Sequence, residues 1–245
     1  MKIYTYYENI NFKQQDKLIE LWKKSWYSNG FNPVVLSLED AKKSIFYKEF
    51  VEKIKHLGLR ITDKSLSSYD LSCYLRWLAY STQADTDSFL VSDYDIININ
   101  FSPTKMIESK NQISFMDRLC PCLAYGNTEQ FLNFCKDIIS ITTINLEQIK
   151  TDYLKTKDKC YHDQNFLVLN EKKLGNYNIC PARKYVIPYI HNDSKMEKCE
   201  IIHFSHNSVQ KTKDAFPEMA DINSEELRLF LIRELNQIKN AKTTT

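Results

Sequence analysis

The sequence predicts a single α/β domain in which a mixed, mostly parallel central sheet is flanked by helices. Three observations carry that prediction. The chain opens with strand-like and helix-like segments in alternation, the pattern of parallel strands joined by crossover helices. A further buried-looking strand, Phe89-Leu90-Val91-Ser92, runs straight into a pair of acids, Asp93 and Asp95. The 245 residues contain no repeat, low-complexity linker or break in composition, which suits one sizeable unit.

The elements follow in order. Lys2 to Glu8 is rich in β-branched and aromatic residues and reads as a strand. Phe12 to about Asn29 reads as a helix. Leu18, Leu21, Trp22, Ser25 and Trp26 fall on one face at helical spacing, and Asn29-Gly30 stops it. Pro33 to Leu38 is a second strand. Glu39 to Leu57 is a second helix, with Phe46, Phe50, Ile54 and Leu57 on one stripe and Gly58 at its end. Asp70 is placed to cap a third helix running to about Thr82. The acid-bearing strand comes next. Ile113 to Met116 and Cys122 to Tyr125 read as short strands. Thr128 is placed to cap a helix through Ile138, and Leu146 to Leu154 forms another. His162-Asp163-Gln164-Asn165 opens a short apolar segment. Glu200 to Phe204 is a strand. Asn223, with Glu226 three residues on, has capping-box spacing and starts a last helix to about Asn240.

Bulk composition excludes several classes. With 33 Lys+Arg against 31 Asp+Glu, nothing suggests a nucleic-acid or membrane footprint. No window approaches the roughly 18 apolar residues of a membrane span. Met1 to Tyr7 is no signal peptide, because its apolar run is too short. Only four glycines occur, and neither G-x-G-x-x-G nor G-x-x-x-x-G-K is present. A bound phosphate would therefore have to be held by metal, side chains or a helix end. The seven cysteines form no C-x-x-C pair and read as free, mostly buried thiols in a reducing, cytoplasmic setting.

Asp93-Tyr94-Asp95 is the most informative tripeptide. Side chains alternate faces along a strand, so both acids would share one face and Tyr94 the other. Two adjacent carboxylates repel each other, and a divalent cation between them and a phosphate relieves that repulsion. Their hard oxygens suit magnesium or manganese. A solvated strand end fits the same residues. His203, in Ile202-His203-Phe204-Ser205-His206, is either a third metal ligand or a strand-end imidazole bonded to a carbonyl. Lys211 is either a point charge for a diphosphate or a surface lysine. Asp163 either receives substrate hydroxyls, acts as a base or caps a helix. Arg76, on the apolar helix Tyr74-Leu75-Arg76-Trp77-Leu78, either meets an acid or phosphate or snorkels to solvent.

Taken in order, these segments resemble the nucleotide-sugar-dependent glycosyltransferases of the GT-A fold. The Asp163-Gln164 and His203-Phe204-Ser205 segments are similar to those of glycogenin-like retaining families. The resemblance spans roughly residues 2 to 211 and rests on short motifs in sequence order. It implies a nucleotide-binding half at about residues 1–100 and an acceptor-binding, metal-completing half at about 101–245. It also implies a Mn2+ or Mg2+ cofactor, a UDP-sugar donor and a glycan or other hydroxyl acceptor. Asp95 and His203 would bind the metal, with Asp93 shared between metal and ribose. Lys211 would approach the diphosphate. Asp163 and Gln164 would lie under a sugar, and Arg76 would serve the catalytic region. Thr5, Tyr6 and Tyr7 would line the base and ribose pocket, where an aromatic ring can stack on uracil. The chain departs from the pattern at Ala84-Asp85-Thr86-Asp87, where relatives often carry Gly-Gly, at Cys73, and at His206. Two other readings share the same logic. A sugar nucleotidyltransferase would need a Gly-rich basic loop after the first strand, where Glu8-Asn9-Ile10-Asn11-Phe12 stands instead. A non-catalytic glycan-binding module would not need an intact metal set.

Overall fold

The structure, a computed structural model, describes residues 1–10, 14–84, 87–102, 113–115, 121–156, 163–170, 178–179 and 200–243. Two compact units interleave along the chain. One comprises residues 1–10, 34–92 and 106–182, and the other residues 11–33, 93–105 and 183–245.

The first unit is built on a six-stranded mixed sheet. Its strands are β1 (Lys2–Tyr6), β2 (Asn32–Leu36), β3 (Phe89–Ser92), β5 (Ser114–Phe115), β6 (Leu123–Gly126) and β7 (Asn178–Ile179), in the order β2-β1-β3-β6-β5-β7. The strand between β3 and β5 in sequence, β4 (Ile96–Asn98), belongs to the second unit. β1 runs parallel to β3, with Ile3 opposite Leu90, and β6 runs antiparallel to β3, with Leu90 opposite Tyr125. β3 is buried along its whole length, as its unbroken apolar run requires of a central strand.

Helices flank this sheet. The single helix expected over 39–57 is two. Asp40 accepts from both the N–H and the hydroxyl of Ser37, which starts α2 (Leu38–Lys42). A turn at Ser44 to Phe46 then leads into α3 (Tyr47–Thr62). Gly58 does not end α3. It lies inside the helix, where a Cβ would stand 2.6 Å from Leu66 Cγ, so this glycine permits a close approach. Asp63, left-handed at φ 54°, closes the helix instead. In α4 (Ser68–Tyr80) the N-cap is Ser67 and Asp70 is the third residue of a capping box, not the cap itself. α5 (Thr128–Ile144) starts the same way, with Asn127 at the cap and Gln130 answering it. α6 (Leu146–Thr156) and α7 (Asp163–Asn170) complete the unit. Most of its aromatic residues are spent on the core. Trp77 packs edge-on to Phe134 at 4.8 Å and stacks with Phe131 at 6.1 Å.

The second unit holds α1 (Gln15–Tyr27), β4, β8 (Ile201–His203), α8 (His206–Ala215) and α9 (Ser224–Thr243). α1 ends as its sequence dictates. Gly30 takes φ 82°, and the Phe31 N–H reaches back to the Trp26 carbonyl. β4 and β8 form an antiparallel pair in which Ile96 faces His203 and Ile97 faces Ile202. Ile97, Ile202 and Phe204 form a small core with Leu18 of α1 and with Leu227 and Leu231 of α9. The Trp26 indole N–H donates to the Ile96 carbonyl at 3.2 Å and ties α1 to the start of β4.

Candidate active site

The D-x-D acids do not lie on one strand face. β3 stops at Ser92, and Asp93 to Asp95 form a turn in which the Ile96 N–H donates to the Asp93 carbonyl at 3.2 Å. A turn brings the two carboxylates together as well as alternation would, and it leaves Tyr94 directed elsewhere. Tyr94 packs on the apolar core of its unit and accepts a hydrogen bond from Gln15 Nε2 at 2.7 Å. Burial, then the charge of Asp95, pushes its phenol well above the ordinary range.

β8 supplies the third group. The Phe204 N–H donates to the Asp95 carbonyl at 2.9 Å, so the β4–β8 pairing extends to the D-x-D turn. His203 Nε2 thereby comes 3.3 Å from Asp95 Oδ1. One ligand atom from each of Asp93, Asp95 and His203 lies within 4.8 Å of the other two. The acids are half-buried and His203 is buried. Arg228 Nε lies 3.8 Å from Asp95 Oδ2, and Arg228 Nη1 pairs with Glu225 Oε1 at 3.2 Å. Among the described residues, three carboxylates against one guanidinium leave an excess of two negative formal charges beside the His203 imidazole. Two oxygens and one nitrogen, with that excess, fit a hard or borderline divalent cation. Asp93, Asp95 and His203 are the residues able to hold one.

A second constellation lies in the sheet-bearing unit. Arg76 on α4 meets Asp163 at the start of α7. Arg76 Nε donates to Asp163 Oδ2 at 3.0 Å, and Arg76 Nη2 donates to the same oxygen. The Trp77 indole N–H adds a third bond to it, at 2.7 Å. The guanidinium also lies 4.9 Å from the Trp77 ring centroid. Arg76 thus meets an acid and is not a snorkelling surface residue; its side chain is 13% exposed and that of Asp163 is 3%. Gln164 follows, half-buried.

The remaining expected residues are placed as follows. Thr5 is buried on β1. Tyr6 is also buried, and its hydroxyl is bonded to the Glu8 carboxylate; burial and that bond raise its phenol far above its usual range. Tyr7 is half-buried, and its N–H donates to the Leu36 carbonyl at 2.8 Å. Lys211 is exposed on α8. His162 and the His206 side chain lie outside the described residues. The free cysteines among the described residues are Cys73, Cys122 and Cys135, and burial raises the Cys135 thiol.

Sequence reasoning missed Arg228, Glu225 and the Trp77 indole. Arg228 carried a usable signal, because it interrupts the apolar stripe Leu227, Leu231, Ile232 just as Arg76 interrupts its own helix.

The arrangement is the GT-A fold of glycosyltransferases. The glycosyltransferase GlyE of Streptococcus pneumoniae TIGR4 superposes with a TM-score of 0.50 at 11% identity, over 95% of this chain and 63% of that one. The chain therefore spans a little under two thirds of GlyE. The galactosyltransferase LgtC, in complex with donor and acceptor sugar analogs, is also similar. It gives a TM-score of 0.45 at 13% identity, over 90% of this chain and 95% of that one. The bifunctional WbbM, at a TM-score of 0.44 and 12% identity, covers 94% of this chain and 51% of its own. Within that fold the chain belongs to the family described as Domain of unknown function (DUF8765), whose profile matches residues 1–171. No curated protein matches the chain in sequence.

Proposed function

We propose that this protein is a metal-dependent glycosyltransferase. It moves a sugar from a nucleotide-sugar donor, a UDP-sugar by preference, to a hydroxyl of a glycan or other acceptor. The observation that carries this reading is the convergence of Asp93, Asp95 and His203 within 4.8 Å. The GT-A likeness to GlyE supports it at the level of fold. No helix among the described residues is long and apolar enough to cross a membrane.

Asp95 and His203 would hold the cation, with Asp93 shared between the cation and the donor ribose. When bound, Mn2+ or Mg2+ supplies a Lewis acid that stabilises the charge developing on the leaving diphosphate. Lys211 adds a mobile positive charge for the same phosphates. Recognition of the base and ribose is assigned to the end of β1, Thr5 to Tyr7. Asp163 and Gln164 serve the transferred sugar, with Arg76 holding Asp163 in place. An inverting enzyme needs a carboxylate free to take the acceptor proton. Asp163 Oδ2 already receives three N–H donors, which makes Asp163 a poor candidate for that base.

Donor hydrolysis or transfer in Mn2+, read as release of the nucleoside diphosphate, tests the proposal. Asp95→Asn keeps the shape of the side chain and removes its charge, and should lower kcat at least 100-fold, a loss of about 2.7 kcal/mol of transition-state stabilisation. Undiminished turnover in this variant removes the metal role.

A further inference from the structure

We infer that Arg228, with Glu225, is the positioning device of the metal centre, a reading that rests on the metal site proposed above. Both residues sit in the first turns of α9, which is fixed from outside. The Asn223 side chain accepts the Glu225 N–H at 2.9 Å, and the Asn223 carbonyl accepts the Leu227 N–H at 2.9 Å. Three residues apart, Glu225 and Arg228 present their side chains to one another. Both are nearly fully buried, at 6% and 4% exposure.

The guanidinium fork then joins β8, which carries His203, to the turn that carries Asp95. Arg228 Nε donates to the Phe204 carbonyl at 2.7 Å, and Phe204 directly follows His203. The N–H of the same Phe204 donates to the Asp95 carbonyl. Phe204 is thus held at both polar groups, on one side by Arg228 and on the other by the residue whose carboxylate faces His203. The same Nε lies 3.8 Å from Asp95 Oδ2, so the cation also biases the orientation of that carboxylate. Nη1 takes the charge of Glu225. One side chain fixes the spacing of Asp95 and His203 through backbone and charge together.

Stability alone gives no account of this placement. A buried ion pair contributes little over well-packed hydrophobic residues of similar volume. A cation beside a metal ligand also works against metal binding by simple Coulomb repulsion. Orientation of the ligands is what the arrangement supplies, as groups that hydrogen-bond metal ligands commonly do.

The test measures the affinity of the full chain for Mn2+ alone, by electron paramagnetic resonance of the free ion, and the thermal midpoint of the metal-free protein. Two variants are compared with the unaltered protein. Arg228→Lys keeps the charge and loses the planar fork. The double variant Arg228→Met with Glu225→Leu removes both charges of that pair together, so neither of the two is left buried without the other. Each should bind Mn2+ 10- to 100-fold more weakly, and the double variant should keep a metal-free midpoint close to that of the unaltered protein. Should the double variant not fold, Arg228→Lys decides the matter by itself. Unaltered Mn2+ affinity in Arg228→Lys overturns the inference, because charge alone would preserve binding. A midpoint that falls while affinity holds overturns it equally and assigns the pair a structural role. If the unaltered protein binds no Mn2+, the metal reading of Asp93, Asp95 and His203 fails first and takes this inference with it.

Discussion

Asp163 and Arg76 form a pair in which charge and burial are tightly linked. Three donors crowd one carboxylate oxygen, and the guanidinium rests against an indole. Asp163→Asn removes the carboxylate charge that faces the Arg76 guanidinium, whose side chain is 13% exposed. Breaking one side of a buried pair costs about 3–5 kcal/mol. Urea unfolding should show that loss, and adding Arg76→Met should restore most of it, whereas a variant as stable as the parent would mean the pair is solvated. Tyr94 poses the opposite case. Its hydroxyl accepts from Gln15 Nε2, and its ring lies on the apolar core. Tyr94→Phe should therefore cost about 1 kcal/mol and leave Mn2+ affinity unchanged, because its described hydrogen bond goes to Gln15 and not to a metal ligand. A drop in affinity would show that the ring supports the turn in a way its hydrogen bond does not reveal.

The helices show how far local chemistry reaches. Only one capping pair, Asn223 with Glu226, was read from the sequence; the capping boxes of Ser37 with Asp40, Ser67 with Asp70 and Asn127 with Gln130 were not, and the α5 cap is Asn127, not the expected Thr128. The reading placed the α4 cap at Asp70 and not at Ser67, since either residue can occupy that position. The same reading fused α2 and α3 because Phe46 continues the apolar stripe across the break; Ser37 and Asp40 open a short first helix that periodicity cannot tell from the second. Burial by itself would raise the Asp40 carboxyl. Hydrogen bonds from Lys43 Nζ at 2.6 Å and from Ser37 outweigh burial and hold it below the ordinary range. A carboxyl depressed on folding contributes stability above its unfolded value near 3.9 and loses it as pH falls through the depressed value. Asp40→Asn should thus lower stability at pH 7 and matter progressively less on acidification, as paired chemical denaturation curves would record. Equal loss at pH 7 and at about pH 3 would deny the linkage. Gly58 belongs at this scale too. Gly58→Ala places a methyl 2.6 Å from Leu66 Cγ and should destabilise the protein despite alanine's better helix propensity, with Leu66→Ala in the same chain relieving the clash. A stabilised Gly58→Ala would show that Leu66 moves freely.

In the whole chain, what sequence revealed was order and what it hid was pairing. The alternating elements, the apolar run ending in acids, and the late arrival of Asp163 and His203 are one-dimensional facts, and they led to the GT-A fold that GlyE shares. The meeting of Asp95 with His203 depends on β4 lying antiparallel to β8, across more than a hundred residues, and no local pattern specifies that register. Arg228 was missed for the same reason, since its significance lies in what Phe204 and Asp95 bring to it. The donor class is tested by thermal stability. UDP with Mn2+ at 100 times its dissociation constant should add about 2.7 kcal/mol, and neither component alone should match the pair. No stabilisation by any nucleoside diphosphate would favour a binding module with no donor. The central claim is that Asp93, Asp95 and His203 together hold a cation against a diphosphate. Anomalous scattering from a crystal grown with Mn2+ and UDP tests it most directly. The expected result is a single strong peak about 2.0–2.2 Å from carboxylate oxygens of Asp93 and Asp95 and from a His203 nitrogen, bridged to the diphosphate. UDP density with no manganese peak at these three residues would contradict it.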